Sequence, residues 1–489
     1  MKLRMWPFGR RLARPPERTD AASVFFTNTL SGKRELFTPL KRGLVTMYSC
    51  GPTVYGPVHL GNLRSFVFAD IVARILLSAR YRVRRVMNIT DVGHLVGDAE
   101  EGEDKMAVGA KREGRTPEEI ADRYAKLFLE DVGALNIDVA DILFPRATEY
   151  INEQIAMVKT LEEKGLAYRT SEGIYFDISR FPGYGKLGGL ENVKLRTGAR
   201  VEANPEKRNS NDFALWRFAK KNDLQQWDSP WGRGNPGWHI ECSAMSRALL
   251  GLEIDIHTGG MDHIGVHHAN EIAQSEAVSG RPFVRYWLHN AFLTMEGEKV
   301  SKSLGNVFSL SDVISRGFHP LALRYFFLQA HYRTPLSFSW DALAASGEAL
   351  SRLWRACHDT AVEAGRRAAD SDAKRRLRAI LYDDVATPQA LGLLWETFRD
   401  ENLSAKERYG VIEAADAVLG LSLLVPPTTA LPQDMERLPD EVRSFVRERD
   451  EARKTKDFAK ADALRERLEK SGYRVEDGPE GTLLTRKHQ

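Results

Sequence analysis

The sequence predicts an α/β protein: a parallel-sheet, nucleotide-binding domain with an inserted connective region, followed by a helical bundle and a small C-terminal domain. Three observations lead there. Between residues 43 and 150, apolar runs of strand length alternate with amphipathic stretches of helix length, the rhythm of βαβ units. A glycine-punctuated stretch over about 151–211 breaks that rhythm before it resumes near Phe213. From Ser309 onward helical spacing dominates, until Pro426 and Pro427 mark a linker to a last, highly charged segment.

In chain order, residues 1–29 read as a basic arm with Lys2, Arg4, Arg10, Arg11, Arg14 and Arg18. It lacks the apolar core of a secretory signal and is expected to be a disordered, solvated tail, with a targeting or nucleic-acid-touching arm as the alternative. Leu44-Val-Thr-Met-Tyr48 and Arg82-Val-Arg-Arg-Val-Met87 read as strands, with a helix over 65–79 between them. Residues 151–211 open with a helix and then turn at Gly183, Gly185, Gly188 and Gly189. Phe213-Ala-Leu-Trp216 and Glu253-Ile-Asp-Ile-His257 resume the main pattern, which completes a domain over 30–295. A lysine-bearing loop region follows over 296–335, a helical bundle over 336–427, and a terminal domain over 428–489. The last of these contains charged helical sequence over 440–471 and a hairpin around Glu476-Asp-Gly-Pro-Glu-Gly481.

Composition removes several function classes. The chain has 489 residues, 43% hydrophobic and 28% charged, with no run of about 18 apolar residues, so no membrane partner is expected. A net charge of +3 is too mild to argue for nucleic acid by itself. Three cysteines, Cys50, Cys242 and Cys357, argue against a disulfide framework and for a reducing cytoplasm.

Two groups of residues carry chemistry. Five of the twelve histidines fall between His239 and His268, with Cys242 in the same window. His267 and Glu271 stand four apart on a helix-like segment and so share a face. With thiolates from Cys242 and Cys50 they make an acceptable zinc set, because sulfur and imidazole favour Zn²⁺ over Mg²⁺. Without a compact CxxC pattern, spacing leaves a plainer reading open: Cys242 as a small buried hydrophobe and His267 as a hydrogen-bonded surface histidine. Cys357, beside His358 in a helical region, reads as structural.

The second group is dispersed. His59-Leu-Gly-Asn62 follows a strand and opens a helix, where free N–H groups and the helix dipole suit a phosphate. Glu298-Lys-Val-Ser-Lys-Ser-Leu-Gly-Asn306 is a basic, hydroxyl-rich loop suited to charge developing at phosphorus. Gly259-Gly-Met-Asp262 follows a strand, so that a nucleoside could approach the backbone and Asp262 could accept from ribose hydroxyls.

In His59-Leu-Gly-Asn62 and Lys299-Val-Ser-Lys-Ser303 the chain resembles the class I aminoacyl-tRNA synthetases. It is similar more narrowly to the cysteinyl-tRNA synthetase family, through Cys50-Gly-Pro-Thr-Val-Tyr55, Asn88-Ile-Thr-Asp91, Asp212-Phe-Ala-Leu-Trp216, Pro236-Gly-Trp-His-Ile-Glu-Cys-Ser-Ala-Met245, Asn270-Glu-Ile-Ala-Gln274, Lys302-Ser-Leu-Gly-Asn306 and Lys456-Asp-Phe-Ala-Lys-Ala-Asp462. The resemblance implies a Rossmann-like catalytic domain, ATP with Mg²⁺, L-cysteine and cysteine tRNA as partners, and a cytoplasmic monomer. It implies that Cys50, Cys242, His267 and Glu271 hold one zinc ion per chain, which binds the substrate thiolate. His59, Asn62, Lys299 and Lys302 become the catalytic residues. Gly61, Gly260, Asp262, Ser301 and Ser303 join them around ATP, and Thr90 and Trp238 shape the cysteine pocket. The terminal domain, 428–489, becomes the anticodon reader.

The chain departs from the family pattern at several points. Asn62 stands where a second histidine is common, Val300 replaces methionine, Ala269 stands where many members have Glu, and Leu484 replaces a tryptophan. The charged segment over 91–105 also differs. Two rivals share the resemblance: a ligase joining cysteine to an amino sugar, and a non-catalytic RNA-binding paralogue. The long region after Ser303 speaks against the first, and the retained signature residues speak against the second.

Overall fold

The structure, a computed structural model, describes residues 22–93, 105–187, 205–220, 223–295, 298–299, 307–427, 433, 435–478 and 481–486. Its centre is a parallel sheet of five strands in the order Val284–Asn290, Ile254–Gly260, Leu44–Ser49, Arg82–Met87 and Ile142–Leu143. The apolar runs read from the sequence form its middle, with Tyr48 paired to Val86 on one side and His257 on the other. The strand expected to end at His257 continues through Gly259 and Gly260.

The Leu60–Ser78 helix connects two neighbouring strands and is buried on nearly every face. A helix that is apolar all round needs cover on all sides. It packs on the sheet and on the Ala405–Leu419 helix, within one continuous core that includes Val45, Leu63, Phe326, Leu353 and Val418. The expected helical bundle, with Pro320–Leu328, Trp340–Glu363, Asp372–Tyr382 and Thr387–Thr397, therefore shares a core with the sheet domain. The short Leu293–Met295 strand lies between Glu298–Lys299 and Leu336–Phe338.

Two expected boundaries move. The Phe213–Phe218 strand does not rejoin the main sheet. It lies in an antiparallel sheet of Ala167–Arg169, Gly173–Phe176, Phe213–Phe218 and Gly234–Pro236, so the insertion extends to Pro236. Alternating burial identifies a strand but not the sheet that receives it. The N-terminal arm does not reach residue 29. Phe25–Asn28 pairs with Lys33–Leu36, Phe26 is fully buried, and Thr29 N donates to Trp287 O at 2.8 Å. Residues 1–21 lie outside the described residues.

The C-terminal helices Asp440–Lys454 and Phe458–Lys470 pack with a hairpin, Tyr473–Gly478 and Gly481–Arg486, around a small core of their own. Leu484 is part of that core, so the residue standing in for tryptophan is a packing residue. An ion pair from Arg355 to Glu476 joins the hairpin to the Trp340–Glu363 helix. Among the described residues no helix is long and apolar enough to cross a membrane.

Candidate active site

A cleft of about 660 Å³ opens at the carboxyl ends of the central strands, where ligands bind in open α/β sheets. Its lining follows four of those ends: Cys50 to Asn62, Asn88 and Thr90, Gly259 to His263, and Asn290 to Leu293. Close backbone approach shapes its floor. A Cβ on Gly51 would lie 1.8 Å from Asn88 O, and one on Gly259 would lie 2.5 Å from the His268 ring.

At one part of the cleft the helix begins at Leu60 with His59 as its cap. His59 Nδ1 accepts from Asn62 N at 3.2 Å, and Asn62 Oδ1 accepts from His59 N at 3.3 Å, a reciprocal capping box. The sequence reading of Asn62 as a phosphate donor missed this; the three-residue spacing of two side chains able to cap was the signal. With Nδ1 accepting, a neutral His59 carries its proton on Nε2. Gly61, Gly260 and Asp262 line the same cleft. Lys299 ends a short strand, its side chain lying outside the described residues together with Ser301, Lys302 and Ser303.

The four expected metal ligands do converge. Single ligand atoms of Cys50, Cys242, His267 and Glu271 all lie within 4.8 Å of one another. Around a tetrahedral Zn²⁺ with bonds of about 2.0–2.3 Å, ligand atoms stand about 3.3–3.8 Å apart, so the set needs only a small contraction. Cys242, His267 and Glu271 are buried and Cys50 is half-buried. Cys242 comes from the Trp238–Leu250 helix, and His267 and Glu271 from one face of His267–Ser279. His267 Nε2 lies 3.1 Å from Glu271 Oε1, while His267 Nδ1 meets His239 Nδ1 at 2.9 Å, a contact that orients the ring.

Electrostatics favours a cation. The Cys50 thiol, hydrogen-bonded to Cys242, lowers the Cys242 pKa, while burial raises that of Cys50. Burial works against charge on His267, but Glu271 and Cys242 raise its pKa to about 10. Burial likewise opposes charge on Glu271, yet His257 and His267 hold it well below the usual carboxylate range. One proton on His267 thus does part of what a metal would do.

Further histidines, not expected as ligands from the sequence, surround this set. His257 Nε2 meets Glu271 Oε2 at 3.0 Å, and His268 Nε2 meets Cys50 Sγ at 3.3 Å. His268 Nδ1 contacts His289 Nε2 at 2.7 Å. Burial pushes His268 and His289 well below the ordinary imidazole value and His263 down to about 4. Cys50, His257, His268 and Glu271 form a second group close enough for a metal. The clustering of histidines between 239 and 268 was the available signal.

The pocket residues fall beside the ligands. The Trp238 ring lies 4.5 Å from the His267 ring, tilted by 40°. Thr90 is buried, its hydroxyl donating to Glu241 Oε2 at 3.1 Å and accepting from Asn88 Nδ2 at 3.0 Å. Cys357 is buried in the main core, as expected of a structural cysteine.

Comparison with known proteins gives the family. Residues 36–348 match the model of the class I (C) tRNA synthetase catalytic domain, and residues 435–482 that of the cysteinyl-tRNA ligase anticodon binding domain. A cysteine–tRNA ligase 1 of Burkholderia lata is 47% identical over 92% of this chain and 94% of its own length. The chain belongs to the cysteinyl-tRNA synthetase family. A cysteine–tRNA ligase of Chlorobium chlorochromatii is 41% identical over 93% of this chain and 98% of its own. A solved Mycobacterium tuberculosis methionyl-tRNA synthetase shares the fold at 17% identity, with a TM-score of 0.54 over 79% of this chain and 92% of that one. As a member of the family the chain is an aminoacyl-tRNA ligase.

Proposed function

We propose that the chain activates L-cysteine with ATP and transfers it to cysteine tRNA, with a zinc ion on Cys50, Cys242, His267 and Glu271 selecting the substrate. The observation that carries this reading is the convergence of those four side chains, three of which, Cys50, Cys242 and His267, line the cleft that also holds the His59 helix start. Zinc bound there would stabilise the substrate's sulfur as thiolate. Serine differs by one atom, and pocket shape alone discriminates such analogues by only about 1–3 kcal/mol. A soft ligand preference separates a thiol of pKa about 8.5 from a hydroxyl that ionises far less readily.

Trp238 and Thr90 would bound the amino-acid pocket. The cysteine carboxylate attacks the α-phosphorus of ATP, an acyl–phosphate bond forms, and pyrophosphate leaves. His59 Nε2 and the helix N-terminus, with Lys299, Lys302, Ser301 and Ser303, would stabilise phosphate charge, and Mg²⁺ would accompany ATP. Asn62 would act mainly by fixing His59, and Gly260 and Asp262 would receive the ribose. A hydroxyl of the terminal adenosine then attacks the cysteinyl carbonyl and releases AMP. The contribution is positioning and electrostatics, without a covalent enzyme intermediate. The match over 435–482 favours tRNA over an amino sugar as acceptor.

Cysteine-dependent ATP–pyrophosphate exchange, transfer to tRNA and metal content of the purified chain test this. Exchange, transfer and one zinc per chain are expected. Exchange without transfer would favour the amino-sugar ligase, and no exchange would favour the RNA-binding paralogue.

A further inference from the structure

Arg64 lies two residues past Asn62 in the Leu60–Ser78 helix, and it is 3% exposed. Its guanidinium donates to four backbone carbonyls: Ala291 O at 2.9 Å, Phe292 O at 2.7 Å, Thr334 O at 2.7 Å and His331 O at 3.5 Å. Among the described residues no carboxylate pairs with it, and burial lowers its pKa to about 10. A cation desolvated among carbonyls alone is a costly way to fill space; it is justified where five donors in a rigid fork must hold several backbone segments at once.

The acceptors show which segments. Ala291 and Phe292 line the cleft beside His59 and Asn62 and continue into the Leu293–Met295 strand. Its antiparallel partner, Glu298–Lys299, carries a signature lysine. His331 and Thr334 lie in the turn before the parallel partner, Leu336–Phe338. That turn is tied to the same wall, because Ala291 N donates to Tyr332 O at 2.8 Å. From the same helix, Leu60 N donates to Phe308 O at 2.9 Å.

We propose that Arg64 is a positioning residue for cysteine activation. It fixes the cleft wall at Ala291–Leu293 against the start of the His59 helix, so that the nucleotide meets both in one geometry. This rests on the activation reaction proposed above.

Arg64→Lys keeps the charge but presents its donors from one point. It is expected to lower kcat of cysteine-dependent pyrophosphate exchange about 100-fold and to raise KM for ATP, because small misplacements in a reacting geometry have effects of that size. KM for cysteine and zinc content should not change. Arg324→Lys is the control, since Arg324 is also buried but bonds Leu419 O, Leu135 O and Asp70, none of which lines the cleft. It should lower thermal stability at least as much while leaving kcat and KM for ATP within about threefold. Unchanged kcat and KM for ATP in folded Arg64→Lys would overturn the proposal. So would losses that merely follow melting temperature in both variants. If Arg64→Lys does not fold, hydrogen exchange on the unaltered chain decides: ATP must protect amides at 291–295 and 331–336 together, and protection of the first group alone overturns the proposal. An inactive unaltered chain would overturn the reaction itself, a different outcome from active enzyme indifferent to Arg64.

Discussion

Glu271 and Asp70 are both fully buried carboxylates surrounded by basic side chains, and they differ in whether the surrounding ring is closed. Asp70 receives Arg324 and Arg74 at 2.7 Å and Arg85 at 3.3 Å. Further guanidinium hydrogens go to Asn136 O, Leu419 O and Leu135 O. Burial works to raise the Asp70 pKa, but Arg324, Arg74 and Arg85 together hold it below the ordinary value. Every partner there is permanently charged. Around Glu271 the partners are imidazoles and thiols whose protonation can change. Among the described residues His257 Nδ1 and His263 Nδ1 have no hydrogen-bond partner, and Cys50 reaches the cleft. A closed arginine ring locks a fold together, whereas an open ring of titratable soft donors can exchange protons for a metal.

The largest expected effect breaks the open ring. Cys242→Ser should reduce zinc from one per chain to under about a tenth at submicromolar free zinc. It should also lower cysteine-dependent exchange about 1000-fold, equivalent to about 4 kcal/mol, because a hydroxyl is a poor zinc ligand at neutral pH. Elemental analysis and exchange kinetics check both. Full zinc retention would transfer the metal to the other group, Cys50, His257, His268 and Glu271.

Breaking the closed ring should act on stability alone. Asp70→Ala leaves three arginines without their carboxylate, and removing one partner of a buried ionic network costs about 3–5 kcal/mol. Urea denaturation should show that loss, with zinc per folded chain and KM for cysteine unchanged. Zinc lost in step with stability would show that the two rings are coupled.

The difference between the rings was only half legible in the sequence. Cys50, Cys242, His267 and Glu271 could be named because their residue types are scarce and their chemistry is distinctive, and the strands at 44 and 82 because their apolar runs are local. The Asp70 ring left no trace, since Asp70, Arg74, Arg85 and Arg324 look like ordinary surface charges until α/β packing and the helical region meet around them. His289 is equally hidden, because a histidine in a strand outside the 239–268 cluster does not reveal what faces it. The Phe213–Phe218 strand was recognised and put in the wrong sheet for the same reason: periodicity is local and pairing is not. The capping bond between His59 and Asn62, three residues apart, was legible in the spacing of two side chains able to cap.

The smallest effect concerns a carboxyl with neither kind of ring. Asp131, on the Pro117–Ala134 helix, is 7% exposed, and no cation pairs with it among the described residues. Burial, aided by Glu130, raises its pKa from 3.8 to about 6. Between those values the folded chain holds a proton that the unfolded chain has released. Stability from this group is therefore full below about pH 4 and is lost as pH rises through 6. A shift of about 2 units corresponds to about 3 kcal/mol at most. Asp131→Asn should consequently stabilise the chain by about 2 kcal/mol at pH 7.5 and by almost nothing at pH 4, measured as the difference in urea unfolding free energy from the unaltered chain. A gain of equal size at both pH values would mean that Asp131 is not charged at a cost when folded. The ring around Asp70 would then lose its meaning as the arrangement that removes such a cost.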